Sequence, residues 1–575
     1  MSISVYQAFR QAVDRYADRE MLCIVTDTAR RYGYEPASIS YRDAHARVRR
    51  LIAAYRSLGL APGSRVALGL DNRPEFFYHW LALNALRLSA VPLNPHWRSA
   101  ELEYVLEHSE ARLAVTLADR LQAIQAAAPP DCAALASDGG WTRAEGDGEP
   151  AASPDELSAP VQFLPQFVKS DGVPATSPGS EDECALLYTS GTTGRPKGCV
   201  LDNEYFLCSG ARYRDLGGYC TLSPGEDRLI TPLPMHHMNA MATSTMAMLL
   251  TGGCIVPLDR FHPRSWWESV RESGATIMHY LGVMPAILMQ QSESSVDRSH
   301  RVRFGFGAGL GGELHAAFEH RFGIPLIEAW AMTETGCGVA IAAHQEPRKP
   351  GTGCIGRPPA HVGYRIVDEE DRDVATGQSG ELLVRRAGAR PRQGLFREYL
   401  KDPAATEAAW SGGYFHTGDL VYLDADGLLH FVDRKKNVIR RSGENISAVE
   451  IEETLIEHPA VLAAGVTAVP DEIRGDEVFA CVVADGDAGP WPVAAERIVR
   501  HCLDRLAYFK APGYMARCDE LPLTATEKIQ RAALKDLAEK RLAAGECIDT
   551  RALKTRYARG ATPRAPRPKA PAGTD

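Results

Sequence analysis

Apolar and polar residues follow two different periods along the chain. In YRDAHARVRRLIAAYRSLGL, from Tyr41 to Leu60, apolar residues recur at spacings of three and four, which predicts an amphipathic helix. Short continuous apolar runs, such as RVALGL, RLAVTL and CIVPLD, predict buried strands. Helical runs alternate with these strands through most of the chain, which favours an α/β fold with substantial parallel sheet.

The pattern changes after the run GLLHFVDRKKNVIRRSGENISAVEIEETL. Beyond it, strands and amphipathic helices form one compact stretch that ends near residue 545. We therefore predict a large N-terminal α/β region with parallel-rich sheets over residues 1–432, joined by a hinge to a small C-terminal α+β domain over 433–548. Residues 549–575 are rich in Pro and Ala, which predicts a disordered tail.

Two stretches depart from the alternation of helix and strand. From Ala126 to about Ser180 the chain is rich in Ala, Pro, Asp, Gly and Ser, which predicts a long surface excursion. The uncharged run from Met238 to Leu258 has the length of a membrane span. Because it contains Asn239, two adjacent glycines and Pro257, a buried helix, a turn and a strand explain it better.

Composition narrows the class of protein. The 575 residues are 45% hydrophobic and 24% charged, with a net charge of -9, which is typical of a soluble globular protein and does not indicate a nucleic-acid partner. The thirteen cysteines include no C-x-x-C pair, so neither a zinc ribbon nor a disulfide framework is predicted. The N-terminus has no apolar signal-peptide core. We expect a cytoplasmic protein without an integral membrane segment; the composition sets no oligomeric state.

The run YTSGTTGRPKG, from Tyr188 to Gly198, concentrates small, hydroxyl and glycine residues before one lysine. Such a loop exposes backbone N–H groups and hydroxyl donors around a cation, which suits a phosphate chain. It is not a Walker A loop, because Lys197 is followed by Gly198 rather than by Ser or Thr. A polar turn after the strand CALLY is the structural alternative.

A second glycine-rich run offers a competing function. GAGLGG, from Gly307 to Gly312, matches G-x-G-x-x-G, follows the apolar run RVRFGF and precedes the helical run ELHAAFEHRFG. In that context it could open a dinucleotide-binding unit of an NAD-dependent oxidoreductase. The acidic residue expected about twenty positions on has only Glu328 as a loose candidate, so a close-packed turn explains the run equally well.

Several ordered motifs together resemble those of one family. YTSGTTGRPKG resembles the phosphate-binding signature of the adenylate-forming superfamily, which includes acyl-CoA synthetases, adenylation domains of peptide synthetases and beetle luciferases. The further motifs are AVPLNP near Pro92, PMHHMN near His237, WAMTETG from Trp330, FHTGDL from Phe415, DRKKNVIRRSGENISAVEIE and LPLTATEKIQR. The resemblance runs from about residue 5 to about residue 545. The small-domain run is most similar to that of carnitine/crotonobetaine-CoA ligases, with fatty-acid-CoA ligases as the broader likeness.

The resemblance implies an ATP-dependent acid–thiol ligase. Residues 1–432 would be the AMP-binding domain and 433–548 the mobile domain with the catalytic lysine. The enzyme would activate a carboxylic acid, as a small-molecule substrate, to acyl-AMP, release pyrophosphate and transfer the acyl group to coenzyme A, with ATP, Mg²⁺ and coenzyme A as cofactors. A stand-alone enzyme that loads a separate carrier protein is the main alternative; a non-catalytic ATP-binding homologue and the oxidoreductase are the others.

The same resemblance assigns nucleotide contacts. Trp330 would stack on the adenine, Asp419 and Arg434 would contact the ribose, Thr333 would contact the α-phosphate, and Glu334 would hold Mg²⁺. The loop around the β- and γ-phosphates would comprise Thr189, Ser190, Gly191, Thr192, Thr193, Gly194 and Lys197.

Four further positions follow from the resemblance. Lys528 would bridge the carboxylate and the α-phosphate, His237 would lie near the acyl and phosphate groups, Lys436 would be the hinge, and Gly443 would flank the pantetheine channel. The sequence departs from the family pattern at Ala331 and Glu527, where glycine is usual. The acid pocket would be lined by the region after His237, by Gly305–Gly309 and by Gly336–Gly338, whose small residues would leave room.

Overall fold

A computed structural model describes residues 3–95, 97, 99–137, 178–189, 196–310, 312–435, 439–441, 444–471, 474–523 and 529–558. The described residues form two compact units. The large unit comprises those within Met1–Thr417 and Tyr422–Phe431, and the small unit those within Gly418–Val421 and Val432–Asp575. The chain therefore passes between the units more than once, whereas the sequence analysis placed a single boundary after residue 432.

Helices and strands alternate along the chain, with β21–β26 and α13–α16 in the small unit. The strands are β1 (Glu20–Ile24), β2 (Ala37–Ser40), β3 (Arg65–Gly69), β4 (Ser89–Pro92), β5 (Ala111–Thr116), β6 (Ala133–Ala136), β7 (Glu183–Thr189), β8 (Lys197–Asp202), β9 (Arg228–Thr231), β10 (Cys254–Pro257), β11 (Ile277–Leu281), β12 (Phe304–Ala308), β13 (Leu326–Trp330), β14 (Ile341–Ala342), β15 (Cys354–Gly356), β16 (Val362–Val367), β17 (Gly380–Arg386), β18 (Glu398–Tyr399), β19 (Phe415–Leu423), β20 (Leu429–Arg434), β21 (Ile439–Arg441), β22 (Glu444–Ile446), β23 (Val461–Asp471), β24 (Gly475–Ala484), β25 (Tyr514–Arg517) and β26 (Ile548–Asp549). The helices are α1 (Val5–Tyr16), α2 (Thr26–Arg31), α3 (Tyr41–Ser57), α4 (Pro74–Ala85), α5 (Ser99–Ser109), α6 (Leu121–Ala127), α7 (Asn203–Arg214), α8 (Thr245–Thr251), α9 (Trp266–Ser273), α10 (Val283–Met289), α11 (Gly312–Phe322), α12 (Pro403–Ala409), α13 (Ala448–Ile456), α14 (Trp491–Arg505), α15 (Arg531–Ala543) and α16 (Arg551–Ala558).

Two large sheets dominate the large unit. One runs β18-β8-β7-β4-β3-β5-β6 and the other runs β14-β13-β12-β11-β9-β10-β1-β2. In the second sheet β1, β10, β9, β11, β12 and β13 are mutually parallel. The carboxyl ends of these strands therefore meet at one edge, where ligands bind in open α/β sheets. His237, Gly309 and the segment after Trp330 all follow strands that end at this edge.

A third sheet runs β15-β20-β19-β17-β16. In the small unit, β22, β21, β24, β25 and β26 form a sheet, with β23 paired antiparallel to β24. Helices α13 and α14 bury Ile451 and Ile498 in a core of their own. The parallel-rich large unit and the α+β small unit confirm the predicted fold class.

Three predictions about local structure have different outcomes. The run from Met238 to Leu258 forms a short π-helix (Asn239–Ser244), α8, a left-handed turn at Gly252 and β10, as predicted. None of the described helices is long and apolar enough to cross a membrane. The surface excursion is wrong at its start, because Ala133–Ala136 forms β6 and pairs in parallel with β5; residues 138–177 lie outside the described residues.

The predicted tail is wrong at its start as well. Residues 551–558 form α16 rather than a disordered segment. Lys554 on this helix pairs with the buried carboxylate of Glu477 at 2.6 Å, and Leu553 and Tyr557 pack against the core of the small unit. One buried ion pair and two apolar contacts explain the order, which the sequence conceals because the helix is short and strongly basic. Residues 559–575 lie outside the described residues.

Candidate active site

The ends of the first glycine-rich loop are held together by a pair of strands. Thr189 ends β7 and lies directly opposite Lys197, which begins β8, in an antiparallel ladder. The Nζ atom of Lys197 lies 4.8 Å from the ring centroid of Tyr399, a cation–π contact. The connecting residues Ser190, Gly191, Thr192, Thr193 and Gly194 lie outside the described residues, so their phosphate contacts stay predictions.

Tyr399 connects Lys197 to Glu334. Its hydroxyl donates a hydrogen bond of 2.9 Å to Oε1 of Glu334, which is 6% exposed. Burial, and then the negative charge of Glu334, raise the pKa of Tyr399 far above its usual value. The phenol therefore stays a neutral donor and fixes the carboxylate of Glu334. Sequence reasoning missed Tyr399, which lies on the two-residue strand β18, too short to show a period.

Helix α7 positions the segment that contains Thr333. The side chain of Asp202 caps the helix by accepting from the backbone N–H of Tyr205, at 2.9 Å. The Tyr205 hydroxyl in turn donates to the carbonyl of Thr333 at 2.8 Å, and Ser209, one turn later, accepts from the N–H of Cys337 at 3.1 Å. The backbone around the predicted α-phosphate contact is thus attached to a capped helix.

Trp330 is the last residue of β13 and is buried. It lies opposite Ile341 in the antiparallel pairing of β13 with β14. Ala331 follows immediately, at the point where the chain leaves the strand. The structure therefore brings Trp330, Thr333 and Glu334 to the carboxyl edge of the sheet, and the adenine contact of Trp330 stays a prediction.

The second glycine-rich run begins in strand β12 and is bonded to strand β13 at Gly309, and its Gly311 lies outside the described residues. Glu328 on β13 accepts hydrogen bonds from the N–H of Gly309 at 3.0 Å and from the hydroxyl of Tyr280 at 2.8 Å. Burial raises the pKa of this carboxyl above its usual value. The one acidic candidate for a ribose contact is thus bonded to the loop and to Tyr280, which counts against the dinucleotide-binding alternative.

Asn72, a residue that sequence reasoning missed, fixes the approach to His237. Its amide nitrogen donates to the carbonyls of Leu233 and Leu258, at 3.0 and 2.8 Å, and its oxygen accepts from the N–H of Met235 at 2.9 Å. The carbonyl of His237 accepts from the N–H of Met241 at 3.1 Å, and the π-helix begins two residues later, at Asn239. Such π-helical turns are frequent at functional sites.

A buried histidine bonds to both ends of the π-helix. Nδ1 of His279 lies 2.8 Å from Oδ1 of Asn239 and 2.9 Å from the Ser244 hydroxyl, and Nε2 lies 2.9 Å from the Tyr213 hydroxyl. Burial lowers the pKa of His279 to about 3, so the ring is neutral. Because an amide oxygen only accepts, Nδ1 carries the proton and Nε2 accepts from Tyr213.

The expectation that small residues leave room for the acid is wrong at four glycines. A Cβ atom on Gly305 would lie 2.5 Å from Leu326, and one on Gly307 would lie 2.2 Å from the carbonyl oxygen of Tyr280. Cβ atoms on Gly336 and Gly338 would likewise lie 2.7 and 3.1 Å from their nearest neighbours. These glycines allow close packing of the backbone and do not open a pocket.

The two predicted ribose contacts lie together in the small unit. Nε of Arg434 lies 2.7 Å from Oδ1 of Asp419, which is 2% exposed. The neighbouring Asp433 accepts from the hydroxyl of Ser447 at 2.9 Å, so it has a structural partner of its own. Gly418 adopts a positive φ of 68°, which suits the turn-like backbone before Asp419.

Three predicted residues of the small domain lie outside the described residues: Lys436, Gly443 and Lys528. Leu523 and Ile529, on either side of the segment with Lys528, form an antiparallel bridge. The roles of all three residues stay predictions.

Two family models match the chain. The model of the AMP-binding enzyme family matches residues 9–400, and that of the AMP-binding enzyme C-terminal domain matches residues 450–528. The crotonobetaine/carnitine-CoA ligase of Shigella flexneri is 30% identical over 527 residues, which cover 88% of this chain and 97% of the relative.

Solved structures agree with these matches. ATP-bound MatB from Rhodopseudomonas palustris is 25% identical, with a TM-score of 0.76 over 94% of this chain and 99% of that one. The o-succinylbenzoate coenzyme A synthetase MenE of Bacillus subtilis, in complex with ATP and magnesium ion, is 22% identical, with a TM-score of 0.73 over 92% and 99%, and shows the fold. The chain belongs to the AMP-binding enzyme family, the adenylate-forming superfamily whose motifs its sequence carries.

Proposed function

We propose that the protein is an ATP-dependent acid–thiol ligase that makes an acyl-CoA through an acyl-adenylate. The observation that carries the proposal is the contact chain from Lys197 through Tyr399 to Glu334, beside the paired ends of the glycine-rich loop. A cation and a carboxylate that share contacts with one phenol support a site for a polyphosphate and its metal ion. The names of the relatives, which are CoA ligases, support coenzyme A as the acceptor.

In the first half-reaction, a carboxylate oxygen attacks the α-phosphorus of ATP. The new P–O bond forms as the bond from the α-phosphorus to the bridging oxygen of pyrophosphate breaks, and pyrophosphate leaves. Negative charge on the phosphate oxygens then requires cations and hydrogen-bond donors that are already in place. Lys197 supplies a cation, and the attachment of the Thr333 segment to α7 fixes a donor.

Glu334 fits Mg²⁺, because a carboxylate is a hard oxygen ligand and the Tyr399 hydroxyl that bonds to it is neutral. Within the described ranges, no three His, Cys, Asp or Glu side chains gather to hold a metal ion. The ion would therefore share Glu334 with phosphate oxygens, as Mg²⁺ usually does at nucleotides. When bound, it would neutralise charge on the phosphates.

In the second half-reaction, the thiol of coenzyme A loses its proton and attacks the acyl carbon, and AMP leaves with the electrons of the C–O bond. We assign Asp419 and Arg434 to the ribose and Trp330 to the adenine. Lys528 is proposed for the first step, with rotation of the 433–548 domain about Lys436 before the second. Gly443 would then flank the incoming pantetheine arm.

The first experiment combines the protein with ATP, Mg²⁺, coenzyme A and a panel of short, medium, long, aromatic, dicarboxylic and betaine-type acids, followed by mass spectrometry. An acyl-CoA with an equal amount of AMP is the expected product. Adenylate and AMP without thioester would instead support loading of a separate carrier protein. Absence of nucleotide turnover in both the wild type and Glu527→Gly would favour a non-catalytic homologue.

Substitution of Lys197 tests the phosphate site. Lys197→Met is expected to slow pyrophosphate release by about 10² to 10³, because it removes a preplaced cation from the site of charge development. Lys401→Met is the matched control, since Lys401 pairs with Glu110 on the surface. Equal rates in the two variants would contradict the role given to Lys197.

Substitution of Lys528 separates the half-reactions. Lys528→Ala should nearly abolish adenylate formation and leave thioester formation from preformed acyl-adenylate much less affected. Single-turnover kinetics of each step provide the measurement. An equal loss in both steps would remove Lys528 from its assigned role.

A further inference from the structure

Four basic side chains gather in the large unit beside Cys337–Gly338. Arg212 lies in the last turn of α7, Arg386 ends β17, and His344 and His361 lie in loops. Burial lowers the pKa of His361, and the positive charges of Arg212 and Arg386 lower it further. Burial and Arg212 act in the same direction on His344.

Two buried nitrogen atoms of this cluster lack the hydrogen bonds that buried polar groups normally make. The Nε atom of Arg212 and the Nε2 atom of His361 are buried and have no hydrogen-bond partner in the described part of the chain. Asp215 is the carboxylate that acts on Arg212, but both of its oxygens are bonded to Arg214, at 2.7 and 2.8 Å. The Nη1 atom of Arg386 donates to the neutral carbonyl of Gly338, at 2.9 Å.

This arrangement destabilises the folded protein unless a bound anion pairs with the basic groups. Like charges brought together and desolvated donors both oppose folding. A planar guanidinium matches the two oxygens of a carboxylate or phosphate in a bidentate geometry. We propose that Arg212, Arg386 and His361 form an oxyanion-binding site, separate from the glycine-rich loop.

The position of Arg212 on α7 relates this site to the reacting centre. Tyr205, Ser209 and Arg212 follow one another on one face of the helix, because they are four and three residues apart. Tyr205 bonds to Thr333 and Ser209 bonds to Cys337. At 1.5 Å per residue, Arg212 lies roughly 10 Å along the helix from Tyr205.

Two sources of the oxyanion fit this position. One is the second carboxylate of a dicarboxylic acid whose first carboxylate is activated near Thr333; this reading rests on the proposed function. The other is a free inorganic oxyanion such as phosphate. In the first case, an acid that carries a cationic group, such as a betaine, would be a poor substrate.

The site is tested by binding without ATP or coenzyme A, so that the outcome does not depend on catalysis. Inorganic phosphate and linear dicarboxylates of four to ten carbons are titrated into the protein by calorimetry and thermal melting, with monocarboxylates of equal length for comparison. Arg212→Met should weaken binding of phosphate or of the best dicarboxylate by roughly ten- to a hundredfold. Arg42→Met is the control, because Arg42 on α3 pairs with Asp18 on the surface, and this variant should bind like the wild type.

Melting temperatures in anion-free buffer distinguish an anion-binding role of Arg212 from a structural role. A buried Nε atom without a hydrogen-bond partner opposes folding, so Arg212→Met should melt at the same temperature as the wild type or higher. A lower melting temperature together with unchanged anion binding would overturn the proposal, as would equal binding by wild type and variant. If Arg212→Met does not fold, His361→Asn provides the same comparison.

Steady-state kinetics distinguish the two sources. If Arg212→Met raises the KM for a dicarboxylic acid and leaves the KM values for ATP and for a monocarboxylic acid unchanged, the site holds the second carboxylate. If only phosphate binding depends on Arg212, the site holds a free oxyanion. Failure of every acid to react would count against the proposed function, while the binding measurement would still decide the oxyanion site.

Discussion

Tyr399 serves the proposed phosphate site with two different parts of one side chain. Its ring lies under the ammonium group of Lys197, and its hydroxyl bonds to Glu334. The ring contact stabilises a cation, whereas the hydroxyl fixes an anion. The two contributions can therefore be removed one at a time.

Tyr399→Phe removes the hydroxyl and keeps the ring. We expect a higher Mg²⁺ requirement and a loss of about ten- to a hundredfold in kcat/KM for adenylation, because a buried carboxylate loses a hydrogen bond of about 1.5–3 kcal/mol. Tyr399→Leu should cost more, since the cation–π contact goes as well. Tyr414→Phe is the control, because Tyr414 contacts Arg385 rather than the proposed site. Unchanged Mg²⁺ dependence in Tyr399→Phe would refute the role of the hydroxyl.

Residues within continuous motifs were predictable, and their partners were not. Lys197, Glu334, Asp419 and Arg434 stand in runs whose order carries the chemistry. The structure shows that Asp419 pairs with Arg434 and that Lys197 and Glu334 both contact Tyr399, while their nucleotide contacts stay predictions. Tyr399 reaches Glu334 across 65 positions, and such a long-range contact leaves no period in the sequence.

The loop from β9 to the π-helix is the element that presents His237. Asn72 bonds to its backbone at Leu233 and Met235, and the neutral His279 bonds to its far end. An amide that both donates and accepts fixes a loop more precisely than packing does, because each bond has a direction.

Asn72→Ala tests whether this fixation serves catalysis. We expect a loss of about 1–3 kcal/mol in the free energy of unfolding and a higher KM for the acid, because the loop with His237 is released.

Asn84→Ala is a matched control, since Asn84 is also buried and makes three hydrogen bonds, to Tyr6, Cys184 and Asn203. Asn84→Ala should lower the free energy of unfolding by a similar amount and leave the KM for the acid unchanged. A raised KM in both variants would mean that stability alone explains the effect. Urea unfolding and initial rates supply both quantities.

Helix α16 depends on one buried ion pair. Lys554 and Arg441 share the carboxylate of Glu477, which is fully buried. Lys554→Met should therefore destabilise the small unit by about 3 kcal/mol or more, because it leaves a buried charge with fewer partners. Lys510→Met, which removes a partly exposed pair with Glu450, should cost about 1 kcal/mol or less. Hydrogen exchange resolves the two effects by segment, and equal protection in both variants would contradict this account.

Element patterns were predictable where the period was long and regular. Helix α3 and strands β3, β5 and β10 lie where their apolar periods indicate. Strand β6 and helix α16 were missed because each lies in a stretch whose composition is that of a loop. Tertiary pairing with β5 and with Glu477 overrides that local preference.

At the scale of the whole molecule, two neutral histidines make stability depend on pH. Burial lowers the pKa of His79 and of His279 to about 3 each, below the value of about 6.5 for the unfolded chain. Their contribution to the free energy of unfolding is complete above pH 6.5 and is lost as the pH falls toward 3. The reason is that the unfolded state binds protons in this range and the folded state does not.

His279→Gln should reduce this acid sensitivity. Between pH 7.5 and pH 5, one such histidine lowers the free energy of unfolding of the wild type by about 2 kcal/mol. The variant should not show this decrease. Urea unfolding at the two pH values measures the difference, with the exposed His320→Gln as control. An identical pH slope in wild type and His279→Gln would show that the ring is protonated in the folded state.

The fold class was predictable because alternation of helix and strand is a property of the whole chain. The precise division into units was not, because contacts rather than composition assign Gly418–Val421 to the small unit. Those four residues continue strand β19 of the large unit, so nothing in their local pattern marks a change.

Because the two units alternate along the chain, cutting the gene at a single point does not separate one unit from the other. Three chain crossings, after Thr417, Val421 and Phe431, join the units. A single cut after residue 432 would leave Asp419 on one polypeptide and its partner Arg434 on the other. Two separately expressed halves would each lack part of the proposed ribose contact, so complementation of the mixed halves, rather than activity of either, is the informative assay.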